Sequence, residues 1–311
     1  MQLLRSLASP HRAGPFVATI GGFDGLHRGH LELVRRVREQ AAARGYASLL
    51  VSFEPLPREY FSVGEPPGRL TTFRERWRLL SRTGLDAFCV LPFNRALQNQ
   101  TAQEFAEALA QGGVRHVLVG HDFRAGKGAE GDAEFLRDAG RALGFTVEVM
   151  PKLCEGDERI SSRAVRAALS SGDLDLARRL LGRRYSMIGR VGHGERLGRT
   201  LGFPTANLRL ERRRSPFSGI FAVRVRGVRP GETLNGVASL GTRPTVGGTV
   251  PLLEVHLFDY SGDLYGRELE VLFVERLRDE LRFPALEPMV AQMHDDARRA
   301  RAALERADDD N

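Results

Sequence analysis

The sequence is poor in lysine and cysteine and has no long apolar run. No segment approaches the roughly 20 consecutive apolar residues that a membrane-spanning helix needs, and the first residues have no sustained apolar stretch like that of a signal peptide. We therefore expect a cytoplasmic protein without a membrane partner. Cys89 lies in an apolar run, Cys154 lies in a loop-like segment, and no CxxC spacing is present. These features predict two inert thiols rather than a disulfide.

The positive charge of the chain is widely dispersed. The formal net charge is +7, and only Lys127 and Lys152 among the 46 basic residues are lysine. Basic patches attract nucleic acids, but the arginines here are interleaved with 39 acidic residues, so we expect no nucleic-acid partner. Residues 185–311 hold 19 basic and 18 acidic residues. Residues 1–184 therefore carry most of the basic excess, which would favour the binding of an anionic substrate there.

Length and pattern predict two domains. A chain of 311 residues exceeds the usual size of one domain. Over residues 15–182, continuous apolar runs alternate with amphipathic helical stretches, which is typical of a parallel sheet covered by helices on both faces. The later runs are shorter, and several alternate with a period of two, which favours an antiparallel sheet or barrel. We predict a doubly wound α/β domain over residues 1–183 and a β-barrel domain over 184–311, with a final helix over about 287–307.

Individual elements follow from the same patterns. The strands predicted in the first domain are 15–23, 47–53, 85–93, 114–120 and 145–150. The helices predicted there are 30–45, 101–113, 132–144, 161–172 and 173–184. The strands predicted in the second domain are 186–191, 220–228, 234–241, 252–260 and 268–277.

A run rich in glycine and histidine, GGFDGLHRGH at residues 21–30, lies where the first strand stops and the first helix starts. In an open α/β sheet this is the usual ligand crevice, and the unpaired N–H groups of a helix's first turn favour phosphate. His27 and His30, separated by Gly29, can donate to phosphate oxygens as charge develops on a leaving pyrophosphate. Metal ligation or a structural role are the alternatives, although there is no HExxH motif and no evident third ligand nearby.

A pair of serines lies at the start of a later predicted helix. Ser161 and Ser162 offer hydroxyl and N–H groups to a triphosphate, and Arg166 adds positive charge. A simple helix N-cap is the alternative interpretation.

The run at 21–30 resembles the GxFDGxHxGH signature of nucleotidylyltransferases. Its Phe-Asp-Gly form is similar to the adenylyltransferase half of the prokaryotic bifunctional riboflavin kinase/FAD synthetase family. Residues 120–126 (GHDFRAG) and 160–166 (ISSRAVR) resemble that family's further nucleotide-site motifs. Departures from the family pattern occur at Leu56, within a Glu-Pro-Leu-Pro turn, and at Ala125 and Arg163. The resemblance assigns these residues to ATP in the first domain: Gly22, Phe23, Asp24, Gly25, His27, His30, Gly120, Asp122, Arg124, Ser161, Ser162 and Arg166.

The second half of the chain has its own group of polar residues beside glycines. There is no GxxxxGK[ST] loop and no kinase HRD and DFG pair, yet flexible Gly-rich backbone can still wrap a triphosphate. The hydroxyl of Thr205 and the amide oxygen of Asn207 are hard ligands that suit Mg²⁺. Strand alternation puts Glu254 and His256 on one face. By itself, Glu254 reads as an exposed strand residue.

The run GFPTAN at 202–207 resembles the signature of riboflavin kinases, and residues 219–223, 236–245 and 263–266 continue the likeness. The resemblance implies that Thr205 and Asn207 hold Mg²⁺-ATP and that Glu254 takes the proton from the ribityl hydroxyl. It assigns the following residues to ATP in the second domain: Gly192, Gly194, Gly198, Thr200, Gly202, Pro204, Thr205 and Asn207. It assigns Arg243, Glu254 and Arg282 to the flavin.

Together the two resemblances imply a bifunctional enzyme of flavin cofactor biosynthesis. It would phosphorylate riboflavin to FMN and adenylylate FMN to FAD, with ATP as co-substrate, Mg²⁺ as cofactor, and two separable sites. A nucleotidylyltransferase for another phosphate, such as pantetheine phosphate, is one alternative. A non-catalytic flavin- or nucleic-acid-binding protein is the other.

Overall fold

The chain folds into two compact units in the computed structural model. The first unit comprises Met1–Pro66 and Arg76–Ser161, and the second comprises Pro67–Glu75 and Ser162–Asn311. Residues 243–245, 248, 249, 308 and 309 are described by their backbone only. The predicted domain boundary at 183/184 stays a prediction. The described residues are 1–7, 15–156, 158–194, 201–245 and 248–309.

A six-stranded parallel sheet forms the centre of the first unit, in the order β1-β4-β3-β2-β5-β6. All five residues of β2 are buried, as expected for a central parallel strand covered on both faces. Its strands, with the small hairpin β7–β8, are β1 (Gln2–Leu4), β2 (Phe16–Ile20), β3 (Ala47–Glu54), β4 (Ala87–Pro92), β5 (Val114–Gly120), β6 (Thr146–Met150), β7 (Cys154–Glu155) and β8 (Glu158–Arg159).

Six helices follow in chain order among the described residues up to 161, and the first three residues of α3 fall in the second unit. Their ends follow local chemistry: Thr101 and Glu104 form a capping box at the start of α5, and Gly45 ends α1 with a φ of 65°, which glycine adopts without strain. A short 3₁₀ helix spans Lys127–Ala129. The helices are α1 (Arg28–Arg44), α2 (Pro57–Tyr60), α3 (Phe73–Ser81), α4 (Arg95–Asn99), α5 (Ala102–Gln111) and α6 (Ala133–Leu143).

The second unit is a closed antiparallel barrel with the strand order β10-β13-β12-β11-β14-β9. Two helices precede the barrel, and the last helix packs on it through Ala300, Ala303 and Leu304. The strands are β9 (Ser186–Gly192), β10 (Ala206–Leu210), β11 (Gly219–Arg226), β12 (Thr233–Thr245), β13 (Gly248–Leu257) and β14 (Glu268–Arg278). The helices are α7 (Ser162–Ser171), α8 (Leu174–Leu181) and α9 (Leu286–Asp309).

The predicted fold class is confirmed, with a parallel sheet, an antiparallel barrel and a terminal helix in chain order. The sequence prediction omitted β1, β7, β8, β10 and the helices α2, α3 and α4. Most of these segments have two to five residues, too few to show a hydrophobic period. Helix α3 is longer, and its Phe73, Trp77 and Leu80 recur at helical spacing, a signal that could have revealed it.

The order of the parallel strands places a ligand crevice at the end of β2. The chain passes from β2 to β3 and β4 on one side and then continues with β5 on the other side of β2. The strand order therefore reverses between β2 and β5, and such a switch point is where open α/β sheets bind ligands. Within the described part of the chain, no helix combines the length and apolar character needed to cross a bilayer.

Candidate active sites

The loop that follows β2 has an unusual backbone. Phe23 and Leu26 have φ values of 49° and 42°, in the left-handed region that side chains other than glycine rarely adopt, and both residues are buried. Gly25 has a φ of 83°. Strained residues of this kind persist only where the surroundings hold them, and they cluster at ligand sites. The loop is thus a fixed turn at the switch point of the sheet.

His27 and His30 lie together at the start of α1. His27 is the N-cap of the helix, and its Nδ1 accepts a hydrogen bond from the backbone N–H of His30 at 3.3 Å. Because Nδ1 acts as the acceptor, the neutral imidazole carries its proton on Nε2, which becomes a donor. The two rings stack with centroids 3.6 Å apart. A Cβ at Gly29 would lie 3.2 Å from Nδ1 of His27, so the absence of a side chain at residue 29 leaves room for the imidazole ring.

Asp24 in this loop and Leu56 beside it are both buried. The buried carboxylate of Asp24 pairs with Arg58 of α2, a partner that the sequence analysis did not identify. Leu56 is buried, and its Cδ2 would lie 3.7 Å from a Cβ at Gly22. Leu56, a departure from the family pattern, therefore places an apolar contact against the predicted ATP loop.

The end of β5 lies on the other side of the switch point. A Cβ at Gly120 would lie 3.3 Å from Oδ1 of Asp122, and Arg159 of β8 donates to Oδ2 of Asp122 at 2.6 Å. Burial acts to raise the pKa of Asp122, but the hydrogen bond and charge of Arg159 outweigh it, and the pKa lies below its ordinary value. Arg124 lies 3.5 Å from the carboxylate of Asp132, the N-cap of α6.

The serine pair falls at the division between the two units. Ser161 ends the first unit, and Ser162 begins α7 in the second. Within the second unit, Arg166 donates to the backbone oxygens of Gly68 and Ser162, at 2.8 and 3.0 Å. The guanidinium of Arg166 is thereby engaged with backbone of its own unit.

In the barrel, the predicted kinase residues form a row across neighbouring strands. Asn207 of β10 lies opposite Gly192 of β9 on one side and opposite Glu254 of β13 on the other. Glu254 in turn lies opposite Ser239 of β12. Side chains directly opposite one another in an antiparallel pair have Cβ atoms roughly 4.5–5.5 Å apart. The register therefore brings together Asn207 and Glu254, which are far apart in sequence.

Two cavities adjoin this row and share the wall formed by Thr205 and Asn207. The first barrel cavity, of 560 Å³, is lined by those two residues together with Gly194, Pro204, Asp263, Tyr265 and others. The second barrel cavity, of 490 Å³, contains Glu254 and a largely apolar lining. The apolar lining residues are Leu201, Phe203, Ile220, Val237, Ala238, Leu252, Leu281, Phe283, Met289 and Met293.

Further residues of the second barrel cavity were not predicted from the sequence. Nδ1 of His256 lies 2.9 Å from the backbone oxygen of Pro204, which braces the turn that carries Thr205. Burial raises the pKa of Glu280, which lines the same cavity. Arg278, another lining residue, forms a bidentate pair with Asp296 of α9. The His-to-Pro contact could have been suspected from the shared face of Glu254 and His256, whereas the other contacts required the tertiary fold.

For the following four of the predicted kinase residues, no contact with either barrel cavity is described. Gly198 and Thr200 fall outside the described residues. Arg243 lies on β12, and its side chain is outside the described part. Arg282 is exposed and lines neither barrel cavity, unlike its neighbours Leu281 and Phe283.

The donor set at the shared wall fits Mg²⁺. A hydroxyl, an amide oxygen and a nearby carboxylate are hard oxygen ligands, and Mg²⁺ in phosphotransfer sites uses one or two protein ligands plus substrate phosphates. A Cβ at Gly194 would lie 2.4 Å from Cγ of Asn207. The backbone of Gly194 therefore packs directly against the Asn207 side-chain amide. The described residues contain no cluster of three or more His, Cys, Asp or Glu suited to a metal, and Mg²⁺ with a nucleotide does not require one.

Comparisons with known proteins match both halves of the chain. A family model described as FAD synthetase matches residues 9–164, and one described as riboflavin kinase matches residues 181–304. A bifunctional riboflavin kinase/FMN adenylyltransferase of Pseudomonas fluorescens is 45% identical over 307 residues, covering 97% of each chain. The protein of the same name from Haemophilus influenzae is 41% identical over 305 residues, covering 97% of this chain and 99% of its own.

A solved structure also matches across most of the chain. A crystal structure from Streptococcus pneumoniae, described as a macrolide-efflux protein, is 28% identical with a TM-score of 0.81, covering 94% of this chain and 96% of that one. The two family models match in the order that the motifs predicted, and the predicted family is confirmed. The chain belongs to the family of bifunctional riboflavin kinase/FMN adenylyltransferases.

Proposed function

We propose that the barrel unit phosphorylates riboflavin to FMN and that the parallel-sheet unit adenylylates FMN to FAD, each with Mg²⁺-ATP. The observation that carries the kinase assignment is the wall of Thr205 and Asn207 shared by two cavities, with Glu254 opposite Asn207. A phosphoryl group has to pass between two ligands, and a shared polar wall suits that transfer. The proposal is supported further by the matches of both family models.

In the kinase reaction, ATP occupies the first barrel cavity and riboflavin the largely apolar second one. The terminal ribityl oxygen attacks the γ-phosphorus, its proton passes to the carboxylate of Glu254, and the bond from the γ-phosphorus to the bridging oxygen breaks to release ADP. Thr205 and Asn207 would hold Mg²⁺, which neutralises phosphate charge when bound. His256 keeps the Pro204 turn in place for these ligands.

In the adenylyl transfer, an FMN phosphate oxygen attacks the α-phosphorus of ATP. The bond from the α-phosphorus to the bridging oxygen breaks, and pyrophosphate leaves with the electron pair. Because the attacking phosphate is already an anion, no base has to remove a proton from it. His27, through its Nε2–H, and His30 donate to phosphate oxygens as negative charge develops, and the N-terminus of α1 adds its N–H groups.

An exposed aromatic group near this site suits the flavin ring of FMN. Tyr60 and Phe61 lie just after the Leu56 turn, and Phe93 follows β4. Their rings contact one another edge to face, with centroids 5.2–5.5 Å apart. Phe61 is 55% exposed, so it offers apolar surface against which a planar heterocycle can pack.

The decisive experiment is a double dissociation between the two units. His30→Ala is expected to lower FAD formation from FMN by roughly 10²- to 10⁴-fold, the usual contribution of a positioned proton donor, while riboflavin phosphorylation stays at the wild-type rate. Glu254→Ala is expected to abolish FMN formation while supplied FMN is still converted to FAD. Both rates are measured on the same purified samples by chromatographic separation of the flavins.

Two results would contradict the proposal. If the wild-type chain forms neither FMN nor FAD with Mg²⁺-ATP, both assigned reactions are wrong. If either substitution removes both activities from a chain whose circular dichroism is unchanged, the two sites are not separate. Omission of Mg²⁺ in the presence of a chelator is expected to stop both reactions. A parallel assay with pantetheine phosphate in place of FMN tests the main alternative substrate.

The cytoplasm is the proposed location of both reactions. Cys89 is buried and Cys154 exposed, and both are free thiols, which suits a reducing compartment.

A further inference from the structure

Arg76 of α3 is buried beneath the adenylyltransferase loop. Its side chain has no exposed surface, and its Nη1 donates to the backbone oxygen of Gly22 at 3.1 Å and to Oγ of Ser52 at 2.9 Å. Its Nη2 donates to the backbone oxygen of Phe53 at 3.3 Å and to the carboxylate of Glu54 at 2.5 Å. We propose that Arg76 is a positioning residue for adenylyl transfer, holding the phosphate loop and the neighbouring β3 turn in one fixed arrangement; this inference rests on the proposed function of the first unit.

The contact with Gly22 fixes a peptide group of the predicted ATP loop. The oxygen of Gly22 accepts from Arg76 and also from the hydroxyl of Ser52, at 3.2 Å. The Gly22–Phe23 peptide is trans, so its N–H points opposite to its carbonyl. Two buried donors on the oxygen therefore set the direction of the Phe23 N–H.

The same peptide precedes a residue held in a strained conformation. Phe23 has a φ of 49°, a conformation that is unfavourable for a residue with a side chain and persists only where the surrounding structure holds it. Its ring contacts the imidazole of His30, with centroids 4.9 Å apart. A shift of the Gly22 carbonyl would allow Phe23 to leave this conformation. Because the Phe23 ring contacts the imidazole of His30, that imidazole would then move as well.

The second terminal nitrogen of the guanidinium, Nη2, contacts the residues that lead into the turn after β3. Glu54 ends that strand, and the peptide between Glu54 and Pro55 is cis. The turn leads to Leu56, which lies against Gly22, and to Arg58, which pairs with Asp24. The planar fork of an arginine can bond both loops at once, whereas an ammonium acts as a point charge.

Stability alone is a weak reason to bury this cation. Taking charges out of water is unfavourable, and well-packed apolar residues often replace buried ion pairs without loss of stability. The acceptors of Arg76 include two backbone oxygens, and one of these, that of Gly22, belongs to the loop that carries His27. This choice of acceptors indicates a role in the arrangement of the site.

The test compares Arg76→Met and Arg76→Lys with wild type, each assayed for FAD formation from FMN and for FMN formation from riboflavin. Arg76→Met is expected to lower kcat for FAD formation by roughly 10- to 100-fold, the effect of a catalytic group displaced by about 1 Å. Arg76→Lys should recover part of that loss. Ser52→Ala, which removes one donor to Gly22, should cause a smaller loss in the same reaction. Arg82→Met, at the exposed position just after α3, is the matched control and should retain both rates.

Hydrogen exchange separates positioning from folding. If the inference is correct, the amides of residues 21–27 exchange faster in Arg76→Met, while those of β2 and β3 stay protected and riboflavin phosphorylation is unchanged. Wild-type kcat for FAD formation in Arg76→Met would overturn the inference, as would loss of protection throughout the sheet in all three variants. If the wild-type chain itself forms no FAD, the proposed function has failed instead.

Discussion

The two units build their sites in different ways. In the parallel-sheet unit, the groups proposed to bind phosphate come from one continuous run of ten residues, 21–30, which forms the loop after β2 and the start of α1. In the barrel unit, Asn207 and Glu254 are neighbours only because β10 and β13 pair in one register. Helix N-termini concentrate N–H donors at one point of the chain, whereas a barrel wall collects side chains from several strands.

This difference predicts which kinds of change each site tolerates. A local loop can keep its backbone donors when a side chain changes, but it depends on residues such as Arg76 that fix its conformation. A site assembled across strands depends on the spacing between them, so an added atom between two strands displaces a ligand directly. Glycines beside each site allow the comparison to be made with a single methyl group.

The largest effect is expected from Gly194→Ala in the barrel. The new Cβ would lie 2.4 Å from Cγ of Asn207, much closer than van der Waals contact, so the short Asn207 side chain has to move. We expect kcat for riboflavin phosphorylation to fall by roughly 100-fold and the Mg²⁺ requirement to rise. FAD formation from supplied FMN, measured on the same sample, should not change. A full kinase rate would show that the position of Asn207 is not critical.

A smaller effect is expected from Gly29→Ala in the parallel-sheet unit. The new Cβ would meet Nδ1 and Cε1 of His27 at 3.2 and 3.3 Å, which a shift of a few tenths of an ångström relieves. Alanine favours a helix over glycine by about 1 kcal/mol, so α1 itself should not be weakened. We expect FAD formation to fall by roughly 10-fold with the kinase rate unchanged. An unaltered rate of FAD formation would contradict the assigned place of His27.

The smallest effect concerns pH and the first unit alone. Burial lowers the pKa of His116 in β5, and the charge of Arg44 acts in the same direction, while Glu148 opposes both. The unfolded chain therefore binds this proton more readily than the folded unit does. His116 therefore leaves the stability of the first unit unchanged above the ordinary histidine pKa of about 6.5. It lowers that stability as the pH drops below this value.

The measurement is the temperature at which FAD-forming activity is lost, between about pH 7.5 and about pH 5.5. His116→Gln is expected to reduce the fall seen at the acidic end, because the amide has no proton to take up. The same series for FMN formation should show no difference between His116→Gln and wild type. An equal fall in both chains would assign the acid sensitivity to other groups.

The sequence by itself carried most of the identification. Apolar runs of five to eight residues separated by amphipathic stretches predicted the parallel sheet, because strands buried on both faces need apolar residues throughout. The GGFDGLHRGH run and the GFPTAN run predicted the two ATP sites, because each motif is local in the chain. The alternation around Glu254 also placed that residue on a polar strand face before any pairing was known.

Only the tertiary structure decided which distant residues meet. Arg76 and Arg58 have no pattern that separates them from the other arginines, and their acceptors come from other segments of the first unit. The two barrel cavities that share Thr205 and Asn207 depend on strand register, which sequence alternation limits to one face but does not fix. Local motifs are determined by short-range chemistry, whereas a buried guanidinium or a cross-strand row exists only once the chain has closed around it.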